Sequence, residues 1–205
     1  MSKHERRSTA FGDGMSSGEL LARRPTQAEI AAAQGRTIPD LIAPGLSILF
    51  CGINPGLYSA AVGRHFARPG NRFWTTLHRA GITERVLLPT ESAVLLERGC
   101  GITDLVARSS ARAEELTRDE LVAGCRRLVA KVMRYRPRCL AVLGISAYRT
   151  AFQQPAAVIG EQAQRIGETV VWVLPNPSGL NAHYPPLKLV AEFGRLRDRL
   201  EESSR

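Results

Sequence analysis

A chain of 205 residues holds one α/β domain with a tail, and it is too short for two full catalytic domains. No apolar run approaches the roughly 18 residues of a membrane span, and the polar residues 1–18 lack the core of a secretory signal, so a cytoplasmic protein is expected. Twenty-eight Lys and Arg against nineteen Asp and Glu leave a net charge of +9, which points to a polyanionic partner, nucleic acid before an anionic membrane surface.

Residues 1–24 mix Ser, Gly, Arg and Glu without apolar periodicity and read as a disordered basic tail before a single domain over 25–205. Thr26 and Glu29 form a capping box that opens a short helix through Ala33, which Gly35 can end. LSILFCGI from Leu46, set between the turns Pro44-Gly45 and Asn54-Pro55-Gly56, reads as a buried strand. The stretch LYSAAVGRHFARPGNRFW that follows, to Trp74, reads as loop.

Thr117 and Glu120 make a second capping box, opening the longest helix. Leu121, Cys125, Leu128 and Val132 fall on one face of it, and Pro137 stops it. Arg118, Arg126, Arg127, Lys131 and Arg134 take the rest, as a basic face or a merely solvated one. CLAVLG from Cys139 and TVVWVLP from Thr169 are again strand-length apolar runs. The last helix enters through Pro185-Pro186 and carries Leu189, Phe193, Leu196 and Leu200 at helical spacing.

Strands apolar on both faces imply a parallel sheet covered by helices, hence a three-layer αβα sandwich with a mostly parallel central sheet. Ligands of such sheets bind beyond the carboxyl ends of the strands. Asn54-Pro55-Gly56 and Asn176-Pro177-Ser178-Gly179 each follow a strand directly, so the two segments are expected to converge on one site. Cys51, Cys100, Cys125 and Cys139 form no C-x-x-C pair and have no histidine at zinc spacing, so they read as buried free thiols, with neither metal nor cofactor expected.

GINPG from Gly52, FARPGNRFW from Phe66, GITDLV from Gly101 and NPSGL from Asn176 together resemble the mismatch-specific uracil and thymine DNA glycosylases. The likeness runs from about Ile42 to Leu200, with all four motifs in order. It implies a monomeric enzyme of the uracil-DNA glycosylase-like fold, associated with the nucleoid while it acts. Lys131 on a helical face and Lys188 in the last helix both lie outside the motif loops, so no amine is placed to form a Schiff base and a monofunctional enzyme is expected. The substrate implied is double-stranded DNA with G/U or G/T mismatches, and the reaction is hydrolysis of the N-glycosidic bond. Because the target atom is hidden in the stack, the nucleotide must first be rotated into a pocket.

By the same resemblance Asn54 positions the attacking water, and Phe66 stacks on the extruded base. Main-chain groups near Ile53 and Phe66 bond the edge of the base. Gly52, Gly56, Ser59, Asn71 and Asn176 complete the pocket, the glycines allowing close approach to main-chain N–H groups. Ser178, Gly179, Leu180 and Asn181 form the wedge that fills the vacated stack. From their position alone, Arg64, Arg68 and Arg72 flank the pocket loop and are expected as phosphate ligands.

A carboxamide orients water but does not take its proton at neutral pH. Asp104 stands where relatives often carry lysine or asparagine. It is the general base if it reaches the water; otherwise it caps a turn or pairs with Arg108. His65, His78 and His183 have no partner at catalytic spacing and read as solvent-facing or phosphate contacts. Two rival readings are a base methyltransferase, disfavoured because CGINPG lacks a G-x-G cofactor loop, and a mismatch-binding protein without activity, which leaves Asn54 without purpose.

Overall fold

Continuous apolar composition produces the centre of the sheet. In the computed structural model, which describes residues 24–202, β1 (Ile48–Gly52), β3 (Cys139–Leu143) and β5 (Thr169–Leu174) pair in parallel, and almost every residue in them is buried. Two further strands complete the order β2-β1-β3-β5-β4. β2 (Cys100–Asp104) lies parallel to β1, with Gly52 opposite Asp104 in the register. β4 (Gly160–Ile166) closes the other edge antiparallel to β5.

The alternation of side chains along each strand builds two cores. Phe50, Ile102, Leu143 and Trp172 face the layer that holds α3 (Phe73–Arg79) and α7 (Pro186–Glu202). Leu49, Cys51, Val142 and Val173 face α5 (Arg118–Tyr135) and α6 (Ile145–Ala151). Phe50 is fully buried, edge-on to Phe73 at 5.4 Å and stacked on Phe193 at 6.1 Å, a burial worth about 2–3 kcal/mol. The three-layer αβα sandwich is therefore present as expected.

Both capping boxes form. Thr26 heads α1 (Gln27–Ala31), and Thr117 heads α5, which runs to Tyr135 before Arg136 adopts φ 49° and Pro137 follows. The stretch after Gly56 is not all loop, because α2 (Leu57–Val62) forms there and ends at Gly63 with φ 65°. A short helix α4 (Val94–Glu97) precedes β2.

Lys131 departs from both readings of the α5 cations, as a basic face or a solvated one. It is half-buried, ion-paired with Asp40, and donates to the Thr103 hydroxyl at 2.6 Å. Arg126, Arg127 and Arg134 remain exposed. Cys51, Cys100 and Cys139 are buried and Cys125 half-buried, all four unbridged; burial pushes the Cys100 and Cys139 thiols up to about 12. The basic tail expected over 1–24 lies, apart from Arg24, outside the described residues.

Candidate active site

The carboxyl ends of β1 and β2 remain joined past the strands. Leu105 N donates to Gly52 O at 2.9 Å, Val106 N to Ile53 O at 2.9 Å and Ser110 N to Pro55 O at 3.2 Å, so the loop Ile53–Gly56 is held along residues 105–110. Asn54 fastens the same junction. Its Nδ2 donates to Ser110 Oγ at 2.8 Å, to Arg108 O at 3.1 Å and to Pro55 O at 3.3 Å. With the nitrogen committed to acceptors, the amide orientation is fixed, and Oδ1 accepts no bond from any described residue. Gly56 opens on empty space, whereas Ser59 is buried and accepts from Ala67 N at 3.1 Å, anchoring the loop that carries Phe66.

Asp104 stands over Gly52, two residues before Asn54. A Cβ on Gly52 would collide with Asp104 Oδ1 and lie 3.4 Å from the Phe66 ring, which is why the position is glycine although its dihedrals do not demand it. Gly52→Ala is expected to displace the carboxylate and cost about 1–3 kcal/mol of stability. Thermal melting measures the loss, and a wild-type melting temperature would show that the contact is relieved without cost.

Asp104 does not pair with Arg108, whose guanidinium is taken by Glu120 at 2.5 and 2.9 Å. Its neighbour is His65, with Nδ1 3.2 Å from Asp104 Oδ2; the side chains are 6% and 7% exposed. The approach is at ion-pair distance but poorly angled for a hydrogen bond, so Oδ2 has no well-aligned donor. The histidine is therefore buried at the site, contrary to the solvent-facing expectation. His65 Nε2 meets Pro39 O at 3.0 Å, and Trp74 Nε1 donates to His65 O at 3.3 Å. Of the other two, His183 is exposed and His78 lies beside Thr83 O at 3.2 Å.

Phe66 adopts φ 54°, a left-handed conformation that is costly for an aromatic residue and concentrates at functional loops. One face of its ring is spent on Phe73 at 4.1 Å. The Phe66 N–H has no acceptor among the described residues, whereas the Ile53 carbonyl is already taken by Val106.

The second segment meets the first, as the strand order requires. A Cβ on Gly144, at the end of β3, would touch Ile53 at 3.1 Å and Asn176 at 3.9 Å, and one on Gly179 would press on Gly70 O. Arg72, expected as a phosphate ligand, instead spends its guanidinium on tying the segments together, donating to Ser178 O at 2.5 Å, Tyr184 O at 2.7 Å and Asn181 O at 3.1 Å. Within the second segment Ser178 N donates to Asn176 Oδ1 and Asn181 Nδ2 to Asn176 O, so the turn is internally braced. Leu180 projects from it 78% exposed.

Asn71 Oδ1 accepts from Phe73 N at 2.9 Å, so its side chain caps the start of α3. Arg64 is half-buried with an unpartnered Nε, and Arg68 is exposed. A cavity of about 630 Å³ lies elsewhere, at the amino ends of β3 and β5, and shares no lining residue with this site. Among the described residues no three His, Cys, Asp or Glu side chains are grouped to hold a metal ion, and no helix is long and apolar enough to cross a membrane.

A solution NMR structure from Methanosarcina acetivorans, provisionally described as a uracil DNA glycosylase, superposes with a TM-score of 0.52 at 19% identity, over 80% of this chain and 98% of that one, which establishes likeness of fold. The family model for the uracil DNA glycosylase superfamily matches residues 39–199, a span that takes in β1, both loops of the site and most of α7. The chain belongs to the uracil DNA glycosylase superfamily.

Proposed function

We propose that this chain excises uracil mispaired with guanine from double-stranded DNA, hydrolysing the N-glycosidic bond after the nucleotide has been rotated out of the duplex. The observation that carries the reading is the state of Asn54. Its amide nitrogen is committed and its oxygen is left as an acceptor, two residues along the chain from Gly52, over which Asp104 stands. That arrangement suits a water held by the carboxamide and relieved of its proton by the carboxylate.

As the bond breaks, the sugar gains positive charge and the base negative charge. In this reading the Asp104 carboxylate opposes the first, and a free donor such as the Phe66 N–H suits the second. Because donors fixed in the fold need no reorganisation, they favour the transition state over the ground state. Leu180 is the apolar group on the braced second segment and fills the space of the everted nucleotide. A mispaired base is cheaper to unstack by part of a few kcal/mol, so weak pairing becomes selectivity.

The enzyme is read as monofunctional. A strand-cutting glycosylase needs an amine for a Schiff base; Lys131 Nζ is engaged by Asp40 and Thr103, and Lys188, in α7, lies in neither loop of the site. The test of the mismatch reading is single-turnover release from matched duplexes carrying U or T opposite G or A. Faster release of U opposite G than opposite A is expected. Equal rates would remove mismatch recognition from the account.

A further inference from the structure

We propose that His65 is a positioning residue for base excision: as an imidazolium it holds Asp104 Oδ2 through Nδ1 and leaves Oδ1, over Gly52, to meet the water. The inference rests on the functional reading above and adds a residue to it. It starts from a tautomer argument. The Pro39 carbonyl can only accept, so the proton of a neutral imidazole belongs on Nε2. An unprotonated Nδ1 would then stand 3.2 Å from a carboxylate oxygen with two electron-rich atoms facing each other in a buried site, which is repulsive unless Nδ1 carries a second proton. In this buried contact the pair is attractive only when it carries that proton.

The surroundings keep it there. Burial favours the neutral ring, but the Asp104 carboxylate, then the Pro39 carbonyl and Asp40, more than offset this, and the His65 pKa is raised above its ordinary 6.5. The charged groups acting on His65 are thus Asp104 from β2 and Asp40 from the segment before β1, the latter itself met by Lys131. His65 is held at its carbonyl by Trp74 Nε1 and at its ring by the Pro39 carbonyl.

The sign follows from the upward shift. Because the folded protein holds this proton more tightly than the unfolded chain, the contribution of the pair is complete below about 6.5 and is lost as pH rises through the higher folded value. Alkaline pH therefore releases Asp104 from its partner, and the chemical step slows with it.

The experiment is the pH dependence of single-turnover uracil release from a U·G duplex by the wild type and His65→Gln, together with an NMR titration of the imidazole in the wild type and Asp104→Asn. The wild-type rate is expected to fall at least several-fold on the alkaline side. His65→Gln, whose amide donor does not titrate in this range, is expected to lose that fall. In Asp104→Asn the His65 titration is expected to move to lower pH. A variant profile of the same shape as the wild type, scaled or not, would overturn the positioning role, as would a His65 titration indifferent to Asp104→Asn. The NMR arm stands even where His65→Gln fails to fold. A wild type that releases no base at any pH would instead overturn the functional reading, and the role of His65 with it.

Discussion

Asp104→Asn is expected to slow single-turnover uracil release by about 10²-fold or more while leaving the affinity for uncut mismatched duplex nearly unchanged. The substitution keeps the shape of the side chain that fills the space over Gly52, so the effect reports chemistry rather than collapse. On the proposed mechanism the variant loses the acceptor for the water proton and a negative charge that opposes the developing sugar cation, and both act mainly in the transition state. Arg108 is already neutralised by Glu120, so no ion pair on that side is broken by the change. An unchanged rate would reduce Asp104 to a structural partner of His65.

Asn54→Ala is expected to cost a similar factor in the chemical step, about 10²-fold, with a structural component that a second variant separates. Removing the carboxamide takes away the water acceptor and also the donors to Arg108 O and Ser110 Oγ, a loss of about 1–2 kcal/mol at a half-buried position. Asn54→Asp retains oxygen acceptors but replaces the amide donor by a carboxylate facing the Arg108 carbonyl. It is expected to be as slow as Asn54→Ala and less stable. Thermal melting beside single-turnover kinetics reads both quantities, and excision at the wild-type rate by either variant would remove Asn54 from the reaction.

The parts of the fold that were legible are those in which one physical signal dominates. β1, β3 and β5 are uninterrupted apolar runs bounded by Pro and Gly, and α5 and α7 carry a cap or an entry proline with apolar residues at helical spacing. β4 is GEQAQRI, an edge strand whose exposed residues are polar apart from Ala163, so little apolar pattern announces it. CGITD has too short an apolar stretch to be read as β2 without its pairing partner. α2 begins at Gly56 with no side-chain cap and lies inside a Gly- and Arg-rich segment, so nothing local marks its start.

The site divides the same way. Two turns directly after parallel strands must reach one edge, and the contacts of Gly144, Gly179 and Arg72 show them adjoining. The surroundings of Asp104 were open in the sequence, because Arg108 was as near along the chain as any rival and only the structure shows Glu120 claiming it. His65 was misread for a similar reason. Its two partners come from Pro39, 26 residues earlier, and from the end of β2, and no spacing rule joins those three positions. Lys131 looked like one more cation on a basic helix until Asp40, from the segment before β1, was placed against it.

The most direct measurement is free uracil, separated and quantified after the wild-type protein is incubated with a U·G duplex in buffer alone. Uracil and an abasic strand are the expected products, formed in equal amounts. Intact DNA bound without release of base, or modification only when a methyl donor is added, would contradict the account.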